Sequence, residues 1–264
     1  MSRPGTVAVR EWGGSGAPVL LAHGMAAHGH WWDRVAPLWS GRLRAAALDF
    51  RGHGDSGWLE SGDYRPETWV EDIETARAAL GWERFVLVGH SMGARIALRY
   101  AALHPGRLRG VAAIDFLAEL REDRPSRFSR ARRRPQPVYP DAEAAAARFR
   151  LEPDGTVLSA GELRALGLLS VRPSGEGFSW KFDWRALGVT LEPIWPLLAA
   201  VSAPALIVRG GLSTLMSPEE AARAAAGLPR GRAVEIPGAH HHVPLDAPEA
   251  LAGALADFAA SLPA

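Results

Sequence analysis

Short apolar runs alternate with segments of helical spacing along most of the chain, and this alternation restricts the fold more than any other feature. The runs are residues 19–22, 45–50, 85–88, 111–116, 205–208 and 233–236. Continuous apolar stretches this short read as strands buried on both faces, whereas a half-exposed strand alternates apolar and polar residues. Between them, residues 68–80 place Val70, Ile73, Ala76 and Leu80 on one stripe. Residues 92–103 are rich in alanine, with Ile96 and Leu98, and residues 248–262 carry Leu251, Leu255 and Phe258. Such stripes are what helices need to cover a sheet. The pattern predicts an α/β fold with a mostly parallel sheet and helices on both faces. Residues 6–12 alternate Val7, Val9 and Glu11, which suits an edge strand.

The alternation stops between residues 117 and 198. That stretch holds a basic, proline-containing segment (121–140), helical patterns at 141–150 and 159–170, and the aromatic residues Trp180, Phe182, Trp184 and Trp195. It is too long for a bare loop in a compact domain. The expected organisation is therefore an α/β core from residues 1–116 and 199–264, interrupted by a helical cap or lid insertion at 117–198.

Composition narrows the function. The 264 residues include 30 Lys+Arg and 29 Asp+Glu, a net charge of +1, so no chain-wide field favours nucleic acid or a membrane surface. Seven arginines at 121–134 face only Glu122 and Asp123, a local basic patch that reads as a solvated segment or as an attractor for an anionic substrate. Cysteine is absent, which removes disulfides, thiolate zinc sites and a cysteine nucleophile. No apolar run reaches the ~18 residues of a membrane span. Residues 1–12 lack a basic stretch followed by an apolar one, so the expectation is a cytoplasmic protein.

The chemistry concentrates at Phe85-Val-Leu-Val-Gly-His-Ser-Met-Gly93. An apolar strand here runs through G-x-S-x-G into a helix, a turn sharp enough to lift the Ser91 side chain above the sheet edge. Three further blocks share its character: His23-Gly24 after the run 19–22, Asp49-Phe-Arg-Gly-His-Gly-Asp-Ser-Gly57, and Gly238-Ala-His-His-His-Val-Pro-Leu-Asp246. In content and order these four blocks resemble the α/β-hydrolase fold family over nearly the whole chain.

That resemblance implies the following site. Ser91 is the nucleophile and needs a histidine base, because a serine hydroxyl attacks poorly with its proton in place. Of His240, His241 and His242, counting from Gly238 against the family pattern selects His241, and His240 then stands where the family usually has glycine. His23, His53 and His90 read as structural turn groups. The family's usual acid position, after the run 205–208, falls on Ser213 or Thr214, neither of which holds a charge. Haloalkane dehalogenases place the acid one strand earlier, which here is Asp115, at the carboxyl end of the run 111–116 where α/β sites form. The alternative for Asp115 is a cap for the insertion that follows. Glu219 and Glu220 read as part of a capping box with Ser217, Asp246 as a cap of the last helix, and Asp49 as structural.

Backbone N–H groups of Met25 and Met92 are the implied oxyanion donors, with both methionine side chains beside the reacting carbonyl. Trp31, Trp32, Trp180, Phe182 and Trp184 either line an apolar substrate pocket or pack the insertion onto the core. The leading expectation is a serine hydrolase that cleaves a carboxylic ester or related acyl bond of an apolar small molecule through an acyl-enzyme. It uses no metal or organic cofactor and no nucleic-acid or membrane partner. A cofactor-free perhydrolase or lyase on the same fold, and a non-catalytic ligand-binding protein, are the alternatives. Oligomeric state is left open.

Overall fold

The computed structural model describes residues 5–39, 41–118, 128, 131 and 134–263. The strands are β1 (Val9–Gly13), β2 (Ala17–Ala22), β3 (Leu43–Leu48), β4 (Phe85–His90), β5 (Leu108–Ile114), β6 (Val171–Ser174), β7 (Gly177–Trp180), β8 (Ala205–Gly210) and β9 (Gly231–Ile236). The α-helices are α1 (Pro66–Ala79), α2 (Met92–Leu103), α3 (Ala142–Ala146), α4 (Ala160–Leu169), α5 (Trp195–Leu198), α6 (Pro218–Gly227), α7 (Val243–Asp246) and α8 (Pro248–Ala260). Seven strands form one sheet in the order β1-β3-β2-β4-β5-β8-β9. Only the β1–β3 pair is antiparallel, and β1 is the edge strand expected from residues 6–12.

Both faces of the sheet are buried, and the two-residue period of a strand divides the side chains between them. In β4, Phe85 and Leu87 join the cluster under α1, α2 and α6, while Val86 and Val88 join the opposite cluster under α8. In β2, Leu20 and Ala22 go one way, Val19 and Leu21 the other. Trp69 and Ile73 of α1 press on the first face, and Leu251, Leu255 and Phe258 of α8 press on the second. This explains why the central runs are continuously apolar. The helical stripes match the expected segments to within a turn.

Between β5 and β8 the chain is not purely helical. After α3 and α4, β6 and β7 pair as an antiparallel hairpin, Val171 opposite Trp180 and Ser174 opposite Gly177. The aromatic residues that suggested only a cluster are therefore partly strand residues, with Phe178 also bridging to Tyr139. Hydrogen bonds tie this region to the core: Asp183 N–H to Gly52 O at 2.7 Å, Tyr64 Oη to Asp183 Oδ2 at 2.9 Å, and Thr156 Oγ1 to Asp246 Oδ1 at 2.6 Å. Asp246 thus departs from its expected role as a helix cap. Its carboxylate accepts from Thr156, Val157 N–H and His240 N–H, and Ala247 precedes α8 without a side-chain cap. Ser217 and Glu220 do form a capping box on α6. Of the basic segment 121–134, only residues 128, 131 and 134 lie among those described. No helix among the described residues is long and apolar enough to cross a membrane.

Candidate active site

The site sits where the carboxyl ends of β4, β5 and β8 meet the loop after β9. Three non-glycine residues have positive φ among the described residues, and all three are here: Ala26 (60°), Ser91 (55°) and Asp115 (37°). Backbone strain of this kind persists only where surrounding packing imposes it. At Ser91 the imposition is visible. A Cβ on Gly89 would lie 2.2 Å from Gly93 O, and one on Gly93 would lie 2.5 Å from His23 O. Strand, turn and helix approach so closely that only hydrogen fits at both positions, which lifts Ser91 to the sheet rim. Ser91 N–H is held by Ile114 O at 2.9 Å, and Asp115 N–H by Val208 O at 2.8 Å, so both residues are fixed to neighbouring strand ends.

The structure brings Ser91, His241 and Asp115 together. His241 Nδ1 lies 2.8 Å from Asp115 Oδ1, and Nε2 lies 3.1 Å from Ser91 Oγ. A carboxylate only accepts, so Nδ1 carries the proton and Nε2 presents its lone pair to the Ser91 hydroxyl. Asp115 has no accessible surface, and its carboxylate is satisfied from three sides. Gly210 N–H donates to Oδ2 at 2.8 Å, and the Ser213 hydroxyl donates to Oδ1 at 2.6 Å. Burial pushes the Asp115 carboxyl up to about 6, against the downward pull of Ser213 and Gly210. Burial also depresses the His241 imidazole well below its ordinary range. At neutral pH the pair is therefore carboxylate and neutral imidazole.

Ser213 cannot be an acid, yet it takes part in the site as a hydrogen-bond donor. It lies in the loop after β8, where the resemblance puts the family's usual acid position on Ser213 or Thr214, and its hydroxyl donates to the Asp115 carboxylate. Its signal was positional: a residue there faces the histidine loop whatever its chemistry. His240 and His242 make other hydrogen bonds, although the His242 ring lies beside that of His241. His240 N–H is held by Asp246, and His242 Nε2 lies 2.9 Å from Pro153 O. His23 is structural, its Nδ1–H donating to Gly24 O at 2.7 Å and its Nε2 accepting from Phe50 N–H at 3.0 Å. His90 donates from Nε2 to His241 O at 2.9 Å and so braces the histidine loop. Asp49 is also structural, accepting from Gly29 N–H and Asp55 N–H.

A cavity of about 240 Å³ opens over Ser91 and His241. Met25, Trp31, Trp180, Phe182 and Trp184 line it, together with Phe149, Leu151 and Arg148, which the sequence did not single out. Trp32 does not line it. Trp31 and Trp32 are adjacent on one short 3₁₀ turn, so they point apart, and Trp32 is fully buried against Val35, Trp39 and the β2 side chains Val19 and Leu21. Met92 also differs from expectation, since its side chain is buried in the core and only its backbone belongs to the Ser91 turn. As the first residue of α2, its N–H has no carbonyl one turn back to donate to. Met25 occupies a turn closed by Ala27 N–H to Gly24 O at 3.2 Å.

A parallel sheet covered on both faces, a serine on a strained strand-to-helix turn and a histidine returning from a later loop define a hydrolase-type α/β architecture. Residues 17–248 match the model of the α/β hydrolase fold, and the chain belongs to that family. It is 31% identical to a 2-(acetamidomethylene)succinate hydrolase of Mesorhizobium japonicum, across 96% of this chain and 91% of that one. A crystal structure of E-2-(acetamidomethylene)succinate hydrolase superposes with a TM-score of 0.83 at 28% identity, covering 97% of this chain and 95% of that chain. An esterase of Mycobacterium tuberculosis is 28% identical over 94% of this chain and 84% of its own length. Relatives named in this way are enzymes, and this chain is an α/β-hydrolase enzyme rather than a bare binding scaffold.

Proposed function

We propose that the enzyme hydrolyses a carboxylic ester or related acyl bond of a small, largely apolar molecule through a Ser91–His241–Asp115 triad. The observation that carries this reading is the continuous hydrogen-bonded line from Ser91 Oγ through His241 to Asp115. Ser91 Oγ attacks the acyl carbon while its proton passes to His241 Nε2. The imidazolium that forms is stabilised by Asp115, which also holds the tautomer that made Nε2 a base. Negative charge on the former carbonyl oxygen is met by the N–H groups of Met92 and Met25, donors of a kind worth about 3 kcal/mol each. Collapse expels the leaving group, which takes the proton from His241. Water then attacks the acyl-enzyme, loses a proton to His241, and Ser91 leaves with it.

The segment 117–198 acts as the cap over this site. Supporting that role, Phe149, Leu151, Trp180, Phe182 and Trp184 all come from it and form most of the apolar wall. Arg148 on the same wall, together with the relative whose name carries an acetamido group and a succinate, favours a second reading: cleavage of an amide in a carboxylate-bearing substrate. A matched panel of acyl esters and amides, with and without a terminal carboxylate and graded in acyl length, tests both. Turnover of neutral esters at least tenfold above their carboxylated amides supports the first reading, and the reverse order supports the second. Peroxide-dependent halogenation without hydrolysis of any member would replace both with perhydrolase chemistry.

A further inference from the structure

Beside Ser91 the rings of His90, His241 and His242 crowd together, with centroids 4.8 Å apart for His90–His241 and 4.9 Å for His241–His242. One ring nitrogen from each lies within 4.8 Å of the other two, and all three residues are 2% exposed. The hydrolytic reading uses only His241. The tautomers of all three follow from their partners. His90 Nε2 and His242 Nε2 face the carbonyl oxygens of His241 and Pro153, so both nitrogens carry protons and donate them. Their Nδ1 atoms are therefore bare lone pairs, and both are buried with no hydrogen-bond partner among the described residues. His241 Nε2 is the third bare nitrogen, facing Ser91.

We infer that His90, His241 and His242 form a binding site for a first-row divalent transition-metal cation, Zn²⁺ or Cu²⁺ above all, and that its occupancy shuts off Ser91. The site lies on the wall of the cavity, which gives the ion a way in. Imidazole sets suit Zn²⁺ and Cu²⁺, whereas Mg²⁺ and Ca²⁺ require oxygen ligands. Each ring already has the outer partner that orients a metal-bound histidine: a carbonyl behind His90 and His242, and the Asp115 carboxylate behind His241. Asp115 also offsets part of the added positive charge. Zn–N bonds of about 2.1 Å require ligand nitrogens roughly 3.4 Å apart, so the rings must draw inward by about 1 Å on binding. The fourth position faces Ser91. Metal on His241 Nε2 occupies the lone pair that takes the serine proton, so a bound ion is an inhibitor.

Calorimetric titration of the full-length, tag-free, EDTA-stripped chain with Zn²⁺ tests this without any substrate, so it stands or falls apart from the hydrolytic reading. One Zn²⁺ per chain is expected, weakened at least about tenfold in His242→Gln and again in His90→Gln, since each removes a ligand. Co²⁺ bound to the wild-type chain is expected to show the intense visible absorption of a four-coordinate ion, and to lose it in both variants. Zn²⁺ is also expected to slow fluorophosphonate labelling of Ser91 in the wild type and not in His242→Gln. Affinity unchanged in both variants would assign the metal to exposed histidines and overturn the inference. Absence of binding up to millimolar Zn²⁺ would overturn it as well.

Discussion

Six of the nine histidines are buried and held neutral, and this makes the fold acid-sensitive in a calculable way. Burial depresses His23, His28, His53, His90, His241 and His242 below their ordinary value. Two buried carboxyls act in the opposite sense, Asp72 and Asp115, each pushed up to about 6 by burial. Below pH 6.5 the unfolded chain binds protons on histidines that the folded chain refuses, so stability falls as pH falls. Between pH 7.5 and 5.5, His241 and His242 together remove about 2.8 kcal/mol, the two raised carboxyls restore about 1.6 kcal/mol by taking protons in the folded state, and His23, His28, His53 and His90 add to the loss in the same direction. The net loss is therefore expected to exceed about 1 kcal/mol, a sizeable part of the 5–15 kcal/mol that holds a typical domain together. Urea unfolding followed by the fluorescence of the ten tryptophans, at pH 7.5, 6.5 and 5.5, measures this directly. With a slope of about 3 kcal/mol per molar, the midpoint is expected to fall by more than about 0.4 M across that range. A fall below about 0.4 M would refute the reasoning, because it would mean that most of these rings bind protons in the folded state.

Asp115→Asn places an amide against His241 Nδ1 and reverses its tautomer, so kcat is expected to fall by about 10⁴-fold with the fold retained. Ser213→Ala, which removes one donor to the carboxylate, is expected to cost roughly tenfold. Adding Ser213→Asp to Asp115→Asn is expected to recover at least tenfold, and steady-state kinetics of the set would contradict the shared role of these positions if no recovery appears. Gly93→Ala drives a methyl to 2.5 Å from His23 O and is expected to cost about 3 kcal/mol, read as a lowered urea midpoint. Trp32→Ala is expected to lose about 3–5 kcal/mol of stability with KM unchanged, whereas Trp31→Ala shifts KM, a contrast that initial rates and urea midpoints together reveal.

Much of this molecule was legible because two periodicities do not overlap. The continuous runs at 85–88 and 205–208 became central strands with both faces covered, and the stripe through Val70, Ile73 and Ala76 became α1. Ser91 and His241 come from the blocks whose order carries the family resemblance, Asp115 from the strand end where haloalkane dehalogenases place their acid, and they meet because a parallel sheet brings the ends of its strands to one rim. What the sequence concealed depends on direction rather than type. Trp31 and Trp32 are identical neighbours, yet a single 3₁₀ turn sends one to the cavity and the other to the core. Asp246 had the spacing of a cap, but Thr156 and Val157 from one distant segment and His240 N–H from its own loop claim its carboxylate. The hairpin of β6 and β7 has four-residue strands, too short for an alternating pattern to emerge, and Pro173 lies inside one of them. Ser213 was invisible as a participant because its role is to donate to a group 98 residues away.

The claim on which the account rests is that His241, oriented by Asp115, makes Ser91 nucleophilic. Labelling with a fluorophosphonate, followed by peptide mass spectrometry, tests it without knowledge of the substrate. One adduct per chain is expected, on Ser91, lost in Ser91→Ala and slowed at least about 100-fold in His241→Ala. Labelling of Ser91 at an unchanged rate in His241→Ala, or no adduct on Ser91 in the wild-type chain, would contradict it.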